Sequence, residues 1–245
     1  MSDKNDVKND VQDDFKYKLK IRNKELNVRK WKVKDRIAFK KLLSSAENLA
    51  EYDIADVLVF PCIKEKNILL TSEELKWVST AIRKLSIGET FEFKYICLNE
   101  NCKNAQVQTL TIDSVNIPVY EDWKHIENSK INVKFGEQVK PQFYKDIITK
   151  IEKSSDEVFK QFNLELSDLA MHILEIDNIS TMSFNDMLEY LQNLDDDVFE
   201  EIVKEYNKQR FTVKNTRSVI CEHCQHEQWY VFDAIEDFFP KSWLK

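Results

Sequence analysis

Four of the five cysteines in this chain fall into two close pairs, Cys97 with Cys102 and Cys221 with Cys224. Structural zinc takes four thiolate or imidazole ligands in a tetrahedron, usually delivered as two such pairs. Two residues separate Cys221 from Cys224, the commonest spacing. Four separate Cys97 from Cys102, at the loose edge of the usual range. Each pair lies between two stretches of strand character, as the thiolates of a zinc ribbon do. Cys97, Cys102, Cys221 and Cys224 are therefore the expected ligands of one structural Zn(2+), which closes residues 103–220 into a loop between its halves. Four thiolates leave no open position, and a catalytic zinc needs one. His223 and His226 flank the second pair and offer a substitute ligand; the plainer reading leaves both on the surface. Cys62 stands alone behind Pro61 among apolar residues and reads as core.

Other chemistry is thin. The 245 residues include only two glycines, Gly88 and Gly136. A P-loop or a dinucleotide fingerprint needs several glycines close together, so both are excluded. His125 and His172 are isolated. Asp195, Asp196 and Asp197 form an acidic run, which the macrodipole at a helix start explains without catalysis. No nucleophile, base and oxyanion donor can be assembled, so an enzyme is the least expected class.

Charge is unevenly spread. The chain carries 43 acidic and 36 basic side chains, a formal charge of −7. Yet Lys16–Lys41 holds twelve basic residues against Glu25 and Asp35, and Phe184–Tyr206 holds eight acidic residues against Lys204. The basic stretch could meet nucleic acid, with Trp31 stacking on a base. Alternating lysines are more simply the solvated face of a strand, and the basic stretch could instead pair with the acidic helices, within the chain or across a partner. Met1–Asp14 is polar, without the apolar core of a signal peptide, and no apolar run approaches the ~20 residues of a membrane span. These features predict a soluble intracellular chain with reduced cysteines, no membrane association and a disordered tail over 1–14.

The elements that must carry the cysteines follow from periodicity. Phe15, Tyr17, Leu19 and Ile21 alternate with charged residues as one strand. A turn at Asn23–Lys24 leads to a second strand through Leu26 and Val28. Asp35 is placed to cap a helix bearing Phe39, Leu42 and Leu43; another, with Ile54, Val57 and Leu58, stops at Pro61. Thr71 and Glu74 have capping-box spacing ahead of a helix over 72–85 whose apolar face is Leu75, Val78, Ile82 and Leu85, with Gly88 just past its end. Strands at Phe91–Tyr95 and Val107–Ile112 flank the first cysteine pair. Pro118 and Glu127–Lys130 mark a boundary or surface excursion. Gln142–Tyr206 reads as helical throughout, with stripes at Phe143, Ile147 and Ile151 and at Leu166, Leu169, Ile173 and Leu174, and with Ser183 and Asp195 as caps. Strands return at Ser218–Ile220 and Trp229–Phe232 around the second pair, so strand, cysteine pair, strand occurs twice.

The order of these features resembles a known family. "VRKWKVKDR" (Val28–Arg36), "LKWVSTAIRKLSIGE" (Leu75–Glu89), a strand ending in Cys97, "FNDMLEYLQNLDDDVFEEIVKEY" (Phe184–Tyr206) and "CEHCQHEQWYVF" (Cys221–Phe232) before Phe238–Phe239 are similar to the baseplate hub and hub-assembly proteins of T4-like contractile-tailed bacteriophages. The resemblance spans roughly residues 15–240 and implies a non-enzymatic role in building the tail baseplate hub. It places the chain in the cytoplasm of the infected host or in the virion baseplate, with hub or tape-measure proteins, and self-association, as partners. The chain length suits an assembly factor better than a structural hub subunit. The competing class is a zinc-ribbon nucleic-acid-binding or transcription accessory protein.

The expected fold is α+β and helix-rich, with a small β part and a zinc-ribbon-like four-cysteine site joining middle and end. Its parts are a tail (1–14), a mixed part with the first cysteine pair (15–135), a helical segment (136–212) and a β-hairpin with the second pair packing back on the first (213–245). The acidic helices and Trp31, Trp229 and Trp243 are candidate contact surfaces.

Overall fold

A computed structural model describes residues 14–45, 50–68, 70–137, 141–153, 157–180 and 182–232. The tail over 1–13, Phe238, Phe239, Trp243 and the side chain of Phe143 lie outside the described residues. Helices and strands are mixed, as expected. Every strand pair among the described residues is antiparallel, and no sheet there exceeds three strands.

The chain opens with a hairpin of β1 (Tyr17–Ile21) and β2 (Lys24–Val28). Its turn is Arg22–Asn23, one residue earlier than Asn23–Lys24, because Lys24 already pairs with Ile21. Arg22 takes the left-handed conformation there, with φ 51°, held by contacts described below. In α1 (Val33–Ser45), Asp35 stands inside the first turn rather than before it. Its carboxylate reaches back to accept the Lys32 N–H at 2.7 Å and takes both arms of buried Arg29 at 2.6 and 3.1 Å. The residue still caps the helix, from the third position. α2 (Glu51–Leu58) ends before Pro61, which sits in a 3-10 turn over Phe60–Cys62. Cys62 is fully buried beside Ile63, and burial pushes its thiol up to about 12.

α3 (Ser72–Ile87) carries the capping box: Thr71 accepts the Glu74 N–H at 3.3 Å and Glu74 accepts the Thr71 N–H at 2.9 Å. Leu75, Val78 and Ile82 are buried on its inner face. Gly88 follows with φ 107°, a value L side chains rarely adopt, and turns the chain into the strand that starts at Thr90. Together β1, β2, α2 and α3 surround the first core, which Phe211 joins from far along the chain.

β3 (Thr90–Ile96) and β4 (Ala105–Thr111) form the first cysteine hairpin. After it come β5 (Ile117–Val119), β6 (His125–Glu127), β7 (Asn132–Phe135), α4 (Pro141–Glu152), α5 (Glu157–His172) and β8 (Ile173–Ile176). The last of these corrects the helical reading of Gln142–Tyr206: Ile173 and Leu174 belong to a strand paired with β7, not to a helix stripe. Four residues are too few to display a two-residue period, and the open edge of β7 decides the outcome. Gly136 allows the close approach, since a Cβ there would lie 2.5 Å from Leu174 Cδ1.

α6 (Phe184–Gln192) is capped by Ser183, which accepts the Asp186 N–H at 3.2 Å. Asp195 precedes α7 (Asp196–Gln209) but its side chain makes no capping hydrogen bond. The β6–β7–β8 sheet, α5, α6 and α7 enclose a second core. β9 (Thr212–Lys214) then pairs with β5, so Pro118 lies within a strand. That pairing brings β10 (Thr216–Ile220) and β11 (Glu227–Val231) alongside the first cysteine hairpin.

Candidate metal centre

The two cysteine hairpins are built alike. In the first, the strand register ends at Ile96 opposite Ala105, and Cys97 extends it by donating its N–H to Asn104 O at 2.9 Å. In the second, the register ends at Ile220 opposite Glu227, and Cys221 donates to His226 O at 2.9 Å. Each turn closes with a left-handed residue directly after its second cysteine, Lys103 at φ 47° and Gln225 at φ 58°. Glycine usually serves such positions; this chain uses side-chain-bearing residues instead. The wider first turn is organised by Asn99. Its carbonyl accepts the N–H groups of Cys102 and Lys103, and its side chain accepts the Asn101 N–H at 3.0 Å.

Five aromatic rings hold the hairpins face to face. Phe93 meets Tyr230 at 4.8 Å and Phe232 at 4.9 Å between ring centres, Tyr95 meets Tyr230 at 5.6 Å, and Phe91 meets Phe232 at 5.9 Å. Two glutamines cross between the hairpins in opposite directions. Gln228 donates to Ile96 O at 3.1 Å and accepts the Leu98 N–H at 2.8 Å. Gln106 accepts the Glu222 N–H at 3.2 Å and donates to Cys221 Sγ. Each glutamine lies four residues after the second cysteine of its own pair. That repeated Cys-x-x-x-Gln spacing was a readable signal; cysteine counting alone passes over it.

The packing gathers all four predicted sulfurs within 4.8 Å of one another. Two close separations run between hairpins: Cys97 to Cys224 at 3.6 Å and Cys102 to Cys221 at 3.7 Å. A disulfide would need ~2.05 Å, so these are thiols. A tetrahedron with ~2.3 Å zinc–sulfur bonds has edges of about 3.8 Å, which these two contacts approach. Donor type, number and spacing thus fit a soft tetrahedral cation. Burial pushes Cys97 up to about 12. Burial also acts to raise Cys221, but N–H groups of Cys224 and His223 outweigh it and hold that thiol down at about 6. Metal binding at such a set would displace protons from the thiols. His223 and His226 are exposed and neither joins the cluster. Replacing Gln228 with leucine is expected to weaken metal affinity 10- to 100-fold, measured by competition with a chromophoric chelator, while the four ligands stay in place.

The family described as T4 bacteriophage base plate protein matches residues 12–240, nearly the whole chain. The chain belongs to that family. Neither a curated protein nor a solved structure gives a match.

The other singled-out residues of this base plate family member take structural places. Exposed His125 contacts Asn132 at 2.7 Å. His172 is buried at the end of α5, where its Nδ1 donates to Asp168 O at 2.6 Å beneath the Trp123 ring. Tyr206 donates to the Asp168 carboxylate, and burial, reinforced by that carboxylate, holds its hydroxyl well above the ordinary phenol range. Asp197 pairs with Lys130 at 2.7 Å. Trp31 donates its indole N–H to Leu58 O at 2.8 Å, whereas Trp229 is 67% exposed.

Arg22 is a functional residue of the fold that carried no sequence signal. It enters between Tyr120 and Trp123, 5.1 and 4.1 Å from their ring centres, and donates to Glu121 O at 3.2 Å and to Gln209 O. Gln209 is the last residue of α7, where carbonyls are unsatisfied and the macrodipole favours a cation. Next to it, Arg22, Trp123, Asp168, His172, Tyr206 and Arg210 line part of a cavity of about 420 Å³ with mixed polar and apolar walls.

Proposed function

We propose that this chain is a non-enzymatic assembly factor, a chaperone or scaffold, for the tail baseplate hub, held together by one structural Zn(2+) on Cys97, Cys102, Cys221 and Cys224. The family match over residues 12–240 carries the reading. The four-sulfur cluster supports it: a closed thiolate set has no position for substrate and serves to tie two hairpins distant in sequence. Its partners are hub or tape-measure proteins, met in the cytoplasm of the infected host. The aromatic and charged surfaces of the chain provide contact area for such partners.

Two measurements test this. Elemental analysis of the purified full chain is expected to return about one zinc per chain, by the four-ligand count; a value near zero removes the metal from the proposal. Affinity capture of the tagged chain from infected cells is expected to bring down baseplate hub proteins. Capture of nucleic acid without any baseplate protein, with strong salt dependence, would instead favour the zinc-ribbon accessory class.

A further inference from the structure

Among the described residues, the two charged segments are not joined to each other by ion pairs in the folded chain. Ion pairs within the basic segment are local or run to other elements: Lys18 to Glu25, Lys24 to Glu74 and Glu137, Arg29 to Asp35, and Lys32 to Asp14. The acidic helices pair with Lys130, Lys204 and Lys208. Among the described residues, no ion pair joins the basic segment to α6 or α7. The charges therefore do not neutralise one another inside the protomer.

The basic surface also has the apolar content of a docking face. Of the residues of α1, only Asp35 and Phe39 are buried. Val33 is 75% exposed and Ile37 is 51% exposed; they stand one turn apart on a row that Lys41 continues. Lys34 and Arg36 are exposed beside them. Lys16 and Lys30 extend the patch, both lying over the Tyr17 ring at 5.6 and 5.7 Å. On the opposite partner surface, Asp196 and Glu200 are exposed one turn apart on α7. Like charges at that spacing repel, and a facing cation relieves them.

We infer that the basic, partly apolar face of α1 docks on the acidic α6–α7 face of a second copy of this chain. Charge complementarity selects this occupant, since the matching surface is carried by the same molecule. The two faces differ, so the contact is head-to-tail and leaves one unmatched face at each end until a ring closes. It is strongest at low ionic strength, because the Debye length shortens from about 30 Å at 0.01 M to about 10 Å at 0.1 M salt.

Sedimentation velocity on the full, metal-loaded chain tests this. The apparent mass is expected to at least double at low salt and to return to that of the monomer at high salt. The double variants Lys34→Glu/Lys41→Glu and Asp196→Lys/Glu200→Lys change only exposed residues, and each alone is expected to remain monomeric. Mixed in equal amounts, they offer two complementary contacts, native acidic face to native basic face and reversed face to reversed face, and are expected to associate again at low salt as alternating copies. A monomer at low salt, association that survives either reversal, or failure of the mixture to pair overturns the inference. An unchanged circular dichroism spectrum for each variant shows that loss of association is not loss of fold.

Discussion

Replacing Cys221 with serine is expected to lower the melting temperature of the metal-loaded protein by on the order of 10 °C. In the proposed site an ion would join β3–β4 to β10–β11 across residues 103–220, and a clamp that closes a loop of that size contributes about 4–5 kcal/mol. For a chain of this length each kcal/mol corresponds to roughly 2–4 °C. A chelator should bring the unaltered protein to the same melting point and leave the variant where it is. Adding Cys102→Ser to Cys221→Ser should produce little further loss, since both residues serve one interaction. An unchanged melting point, or full additivity of the two substitutions, would contradict a shared site.

Arg22→Ala is the second large effect. The guanidinium donates to carbonyls of Glu121 and Gln209 and lies against two aromatic rings, with its side chain almost wholly buried. Hydrogen bonds from a charged donor contribute ~1.5–3 kcal/mol and a desolvated cation–π contact up to ~2 kcal/mol. Relief of the left-handed backbone does not follow, because alanine is no better than arginine at φ 51°. The expected loss is about 3 kcal/mol, or roughly 6–12 °C in chemical and thermal unfolding. Arg22→Lys should recover little of it, since an ammonium cannot reproduce the planar fork that spans both carbonyls. A loss below about 0.5 kcal/mol, the range of an ordinary surface position, would show that the hairpin is held by its apolar residues alone.

Local features were legible where a few neighbouring residues suffice to specify them. The capping box at Thr71 and Glu74, the stop at Gly88 and the cap at Ser183 each involve contacts within about one helical turn, and all are present. The alternation at Tyr17–Ile21 likewise yields β1. Errors arose where a distant partner intervenes. The first turn shifted to let Arg22 reach residues 120–123 and 209, and Ile173–Ile176 became a strand because β7 offered an edge.

The candidate site divides in the same way. Sequence by itself determined the four sulfur donors, the two tight turns that display them and the segregation of basic from acidic residues, because spacing and residue type are local properties. Tertiary structure decided that the two turns face each other, through the β5–β9 pairing and the Phe93–Tyr230–Phe232 contact, and that Gln106 and Gln228 cross between them. It also left the basic segment and α6–α7 without a joining ion pair among the described residues. Such choices depend on closing loops of a hundred residues or more, and the free energy that selects one closure comes from burying many side chains together, which no short stretch of the chain encodes.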